Sequence, residues 1–72
     1  MPLDHIPDLN PRAEEIDDAT LLAQRVLYRI GRVERMFGDP DRPMGEKTQY
    51  LRAMNGHNRS DLRRLETLLG QG

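Results

Sequence analysis

The longest hydrophobic pattern in the chain runs from Ile16 to Phe37 and repeats with the period of an α-helix. When Ile16 is placed at position a of a heptad, every a and d position as far as Phe37 is apolar. Leu22, Leu27 and Met36 widen this apolar face beyond the narrow stripe of a simple two-stranded coil. The a and d positions are Ile16, Ala19, Ala23, Val26, Ile30, Val33 and Phe37.

Start and stop signals place this pattern in one long helix over about residues 11–37. Asn10 can cap the first turn, and Pro11 is tolerated as the first helical residue. Gly38 is placed to adopt a left-handed conformation after the helix, and Pro40 prevents its continuation. Arg25, Arg29 and Arg32 share one face of the helix, which we expect to be solvated.

The second half of the chain has a weaker apolar pattern that is interrupted by turn signals. The stretch "GDPDRP" predicts a turn at about 38–43, followed by a helix over about 44–54. The stretch "NGHN" predicts a second turn at 55–59, and a last helix over about 60–69 that Asn58 or Ser60 would cap. One kinked but continuous helix over 44–69 is the alternative.

These elements predict an all-α fold, either an antiparallel helical hairpin or a small three-helix unit with one long N-terminal helix. Residues 11–72 would form a single helical domain in which Arg63 and Arg64 approach Asp17 and Asp18. Residues 1–10 precede it as an extended arm, because Pro2, Pro7 and Pro11 push the residue before each of them towards extended geometry.

The small size of the chain changes what this fold needs. A core in a chain of 72 residues rarely supplies more than about 3–5 kcal/mol without a staple. The chain has no cysteine, which excludes disulfides and thiolate metal sites, and its two histidines are far apart. We therefore expect the apolar face to be covered by a protein partner, either a second copy in a homodimer or four-helix bundle, or a larger protein.

Charge and motifs narrow the function further. The net charge of −1 gives no global attraction to nucleic acid or an anionic membrane, and no apolar run approaches the length of a membrane span. No side-chain arrangement indicates a catalytic nucleophile, a metal site or a cofactor site, so we expect neither enzymatic activity nor a small-molecule substrate. We read the chain as cytoplasmic, and its size and arginine bias favour a bacterial or phage origin.

The sequence thus predicts a non-catalytic protein–protein interaction module, such as an adaptor, an assembly factor or an accessory subunit. It would act through the apolar face of its long helix, with the N-terminal arm as a secondary contact. The predicted interface residues are Ile16, Ala19, Ala23, Val26, Leu27, Ile30, Val33 and Phe37, with Ile6 and Leu9 from the arm.

The alternative is a small DNA-binding regulator that works as a dimer. The stretch from Tyr50 to Leu69 has the order helix, glycine-containing turn, helix, in the manner of a helix-turn-helix. Its candidate nucleic-acid contacts are Asn58, Arg59, Arg63 and Arg64.

Overall fold

The computed structural model describes residues 8–71, which form an antiparallel pair of packed helices. One turn of 3-10 helix, Ala13–Glu15, precedes helix α1, Ala19–Phe37, and helix α2, Met44–Gly70. No strand occurs between residues 8 and 71. The prediction of an all-α helical hairpin is confirmed. Of the predicted arm over residues 1–10, residues 1–7, which include Ile6, lie outside the described residues.

Helix α1 begins later than the predicted residue 11, because the side chain of Asp18 caps it. Its Oδ1 accepts hydrogen bonds from the backbone N–H groups of Thr20 at 2.9 Å and Leu21 at 3.3 Å, which satisfies two free donors of the first turn. Asn10, the expected cap, instead donates its own N–H to the side chain of Asp8. The chain between the 3-10 turn and α1 is extended, and this lets Ile16 pack inward.

Hydrogen bonds from α1, from the turn itself and from α2 stabilise the connection between the helices. Gly38 has a right-handed φ of −78°, so the expected left-handed conformation is wrong, and its N–H bonds to the Glu34 carbonyl at 3.0 Å. Asp39 accepts the N–H of Asp41 within the turn. From α2, the buried Lys47 places Nζ 3.2 Å from the Phe37 carbonyl oxygen, where a cation is favoured by the helix dipole.

Helix α2 is continuous over 27 residues, so the predicted turn at 55–59 and the separate last helix are wrong. Gly56 lies inside the helix and meets no neighbouring atom within 4 Å of an added Cβ. A glycine in a helix interior costs only about 0.5–1 kcal/mol, and packing along the whole of α1 outweighs this cost. Of the predicted alternative, a kinked but continuous second helix, the continuity is confirmed.

The segment before α1 packs across one side of the hairpin. Ala13 and Ile16 are buried. Arg64 of α2 donates from Nε to the Ile16 carbonyl at 2.9 Å and from Nη2 to the carboxylate of Asp17, so the expected approach of Arg64 to Asp17 is confirmed. The segment covers α2 beside Ser60 and leaves the other side of the hairpin open.

Candidate functional site

Helix α1 packs on α2 through a face that is rotated from the predicted one. Leu22, Val26 and Arg29 are buried, whereas Ile30 and Phe37 are exposed. Within α1 the buried face therefore includes g positions, at Leu22 and Arg29, and the d position Val26, whereas the a positions Ile30 and Phe37 remain exposed. This rotation places Ile30, an a position of the predicted seam, on the open side of the hairpin.

A buried charge cluster explains the rotation. Arg29 donates from Nη1 to Asp61 Oδ2 at 2.6 Å and to Asn58 Oδ1 at 3.0 Å. Arg25 Nε lies 3.1 Å from the same oxygen of Asp61, but its N–H is not aligned for a hydrogen bond. Asp61 is 1% exposed and Arg25 and Arg29 are each 3% exposed, so the expectation that these two arginines lie on a solvated face is wrong.

The cluster holds more positive than negative charge. Two guanidinium groups face the single carboxylate of Asp61, and among residues 8–71 neither Nε nor Nη1 of Arg25 finds a hydrogen-bond partner. Within the cluster Arg29 therefore makes the hydrogen bonds to α2, while Arg25 lies close to Asp61 without a hydrogen bond. Arg32, the third arginine of the predicted face, remains exposed with its guanidinium 5.9 Å from the Tyr28 ring centroid and 6.0 Å from that of Tyr50, which are cation–π distances.

The sequence did not lead us to predict that Asn58 and Asp61 of α2 are buried in this cluster, although it contains a signal for them. Alternating steps of four and three residues define a heptad seam along α2 in which Asn58 and Asp61 take core positions. A polar residue at a core position predicts a buried partner on the facing helix. The turn predicted at 55–59 hid this signal, because a break there interrupts the register. The seam consists of Lys47, Leu51, Met54, Asn58, Asp61, Leu65 and Leu68.

The open side of the hairpin contains an apolar groove between the two helices. It has a volume of about 690 Å³, and five aliphatic side chains line it. Leu69 is 66% exposed, and Leu62 and Ile30 are each 45% exposed. The aliphatic lining is Val26, Ile30, Leu62, Leu65 and Leu69.

The rim of this groove is polar and belongs to α2. Asn55, Arg59, Arg63 and Glu66 line the groove and are exposed. An apolar floor with charged groups along one edge is the arrangement that accepts the apolar face of an amphipathic helix. The groove is therefore the candidate functional site.

The predicted interface residues do not gather at one surface, and of them only Val26 and Ile30 line the groove. Leu9 is half-buried, and on the side away from the groove it lines a cavity with Arg29 and His57. Ile6 lies outside the described residues. Ile16 and Val26 are buried, Ala19, Ala23 and Val33 are half-buried, and Leu27, Ile30 and Phe37 are exposed.

The residues of the DNA-binding alternative do not share one exposed face. Asn58 is buried and accepts a bond from Arg29, and Arg64 is half-buried and bonded to the Ile16 carbonyl. Arg59 and Arg63 are exposed on the groove rim. Because residues 55–59 are helical, the described part of the chain has no helix-turn-helix geometry at this place.

No family model, no curated protein and no solved structure matches the chain. Neither α1 nor α2 is long and apolar enough to cross a membrane. Across residues 8–71, no group of three or more His, Asp and Glu side chains could hold a metal ion.

Proposed function

We propose that this protein is a non-catalytic protein–protein interaction module that binds an amphipathic helix in the groove between α1 and α2. The observation that carries the proposal is the exposure of Leu62, Leu69 and Ile30 along one continuous groove. Exposed apolar side chains that are contiguous and rimmed by polar groups mark interaction sites more often than scattered ones do.

The partner's chemistry follows from the lining. A helix with large aliphatic side chains at i, i+3, i+4 and i+7 would fill the floor. Acidic groups at its edge would face Arg59 and Arg63, and a basic group would face Glu66. We propose that the module acts in the cytoplasm, as an adaptor, an assembly factor or an accessory subunit.

Site-specific photo-cross-linking tests this function directly in cells that produce the chain natively. We expect p-benzoylphenylalanine introduced in place of Leu69 to yield a covalent protein adduct, which mass spectrometry would identify. The matched control replaces Thr67, which is exposed near the same end of α2 but on its other side, and should yield none.

A second variant separates groove binding from chance proximity. Leu62→Asp places a charge on the groove floor, where burying it against an apolar partner is unfavourable, and should abolish the adduct at position 69. Because Leu62 is exposed, the helix content measured by circular dichroism should remain unchanged. Absence of any adduct from position 69, or an adduct that survives Leu62→Asp, would overturn the proposal.

A further inference from the structure

Helix α2 carries a second line of residues with heptad spacing, and this line runs along the groove. Asn55, Leu62 and Leu69 are seven residues apart, and Leu65 lies between the two leucines on the floor. Seven-residue spacing keeps side chains nearly in line on an α-helix. A neighbouring helix can therefore follow this line over its whole length, which is about 21 Å at 1.5 Å per residue.

The two outermost charges of the groove rim, which lie on either side of Arg63, have opposite signs. Arg59 precedes Leu62 and Glu66 follows it, also seven residues apart, and both are exposed on the rim. An isologous interface brings the same patch of both subunits together, so the patch has to be complementary to itself. A two-fold axis midway between residues 62 and 63 would place Arg59 of each copy opposite Glu66 of the other.

The orientation of such a pair follows from these signs. In an antiparallel pairing both cross-contacts join opposite charges, as at the flanking positions of coiled coils. In a parallel pairing the two Arg59 side chains would lie at one level and the two Glu66 side chains at another, so neither attraction would form. We infer that the groove is occupied by α2 of a second copy of this chain, packed antiparallel about a two-fold axis near Leu62, so that two hairpins form a four-helix bundle. This inference rests on the proposed function and names the partner of the same groove.

Sedimentation equilibrium of the full chain across the micromolar range tests the inference. We expect a monomer–dimer equilibrium for the unaltered chain. Arg59→Glu and Glu66→Arg should each weaken dimerisation by about tenfold, because each substitution turns both symmetry-related attractions into repulsions. The double variant Arg59→Glu with Glu66→Arg should return to within about threefold of the unaltered chain, because opposite charges again face each other.

Mixing the two single variants controls for the change in net charge that each substitution causes. Equal amounts of the Arg59→Glu and Glu66→Arg chains should form heterodimers more tightly than either chain associates with itself. Circular dichroism of each chain should show unchanged helix content, since both side chains are exposed. Raising the salt concentration should reduce the differences between the variants.

The outcomes separate this inference from the function on which it rests. A folded monomer at every concentration, or single variants that dimerise as tightly as the unaltered chain, would overturn the second copy as occupant. If the adduct formed at position 69 in cells then contains a different protein, the proposed function would stand and this inference would be wrong. Dimers whose strength follows the charge pattern, together with an adduct of doubled chain mass, would support both.

Discussion

At the scale of single residues, the most informative feature is charge placed where an apolar side chain would be expected. Asp61 is almost completely buried between Arg25 and Arg29. Removing charges from water costs several kcal/mol per ion, and mutual attraction repays this only where the geometry is good. Arg29 has that geometry and Arg25 does not. The cluster therefore fixes the rotation and register of the helix pair more than it adds to stability.

The two arginines form a matched pair for testing this difference, since each is 3% exposed. Arg29→Met should lower the free energy of unfolding by about 3 kcal/mol, because it leaves the buried Asp61 and Asn58 without their hydrogen-bond donor. Arg25→Met should change it by less than about 1 kcal/mol, because it removes a cation whose buried donors make no hydrogen bond. Urea denaturation followed by circular dichroism measures both values. Equal losses from the two variants would contradict the assigned roles.

Sequence patterning predicts some of these positions and misplaces others for a physical reason. Hydrophobic periodicity identifies α1 as a helix and finds Val26 in its core, because burial of apolar surface is the main driving force of folding. It places Ile30 in the core in preference to Arg29, since a pattern of apolar residues carries no information about a distant carboxylate. Only the fold brings Asp61 to Arg29, and this pairing decides which side of α1 faces inward.

At the scale of elements, local signals set the helix ends only where no tertiary contact competes with them. Asn10 and Pro11 form a good start signal, yet Ile16 is buried against α2 from an extended segment and Asp18 caps the helix instead. The signal at Asn55 and Gly56 likewise yields to packing along α2. The hairpin itself was predictable from "GDPDRP" and the two apolar patterns, whereas the continuity of α2 depended on contacts across the pair.

Gly56 gives a direct test of that continuity. Gly56→Ala should raise the free energy of unfolding by about 0.5–1 kcal/mol, because alanine is the better helix former and an added Cβ would meet no atom within 4 Å. Gly31→Ala in α1, where an added Cβ is equally free, is the matched control and should give a gain of similar size. Thermal denaturation of both variants measures the effect. A loss of stability at position 56 with a gain at position 31 would restore the turn that the sequence predicts there.

At the scale of the whole molecule, the two sides of the hairpin differ in what covers them. The segment before α1 lies over the charge cluster and Ser60. A partner that replaced the segment there would need hydrogen-bond donors and acceptors that match these polar groups. The groove side presents Leu62, Leu69 and Ile30 with no cover from residues 8–71. Attachment of the segment therefore determines which side of the hairpin remains available for binding.

Arg64 of α2 hydrogen-bonds to the attached segment at two points. Arg64→Met keeps the aliphatic stem but removes both donors, and should lower the free energy of unfolding by about 1–2 kcal/mol, because the part-buried Ile16 carbonyl loses its charged donor. Asp17→Asn removes only the ion pair, whose carboxylate side chain is 85% exposed, and should cost less than about 0.5 kcal/mol. Cleavage by trypsin after Arg12 should accelerate in Arg64→Met and stay unchanged in Asp17→Asn, because only the first variant releases the segment. If both variants accelerate cleavage equally, the ion pair holds the segment, and if neither does, the burial of Ile16 and Ala13 is sufficient without Arg64.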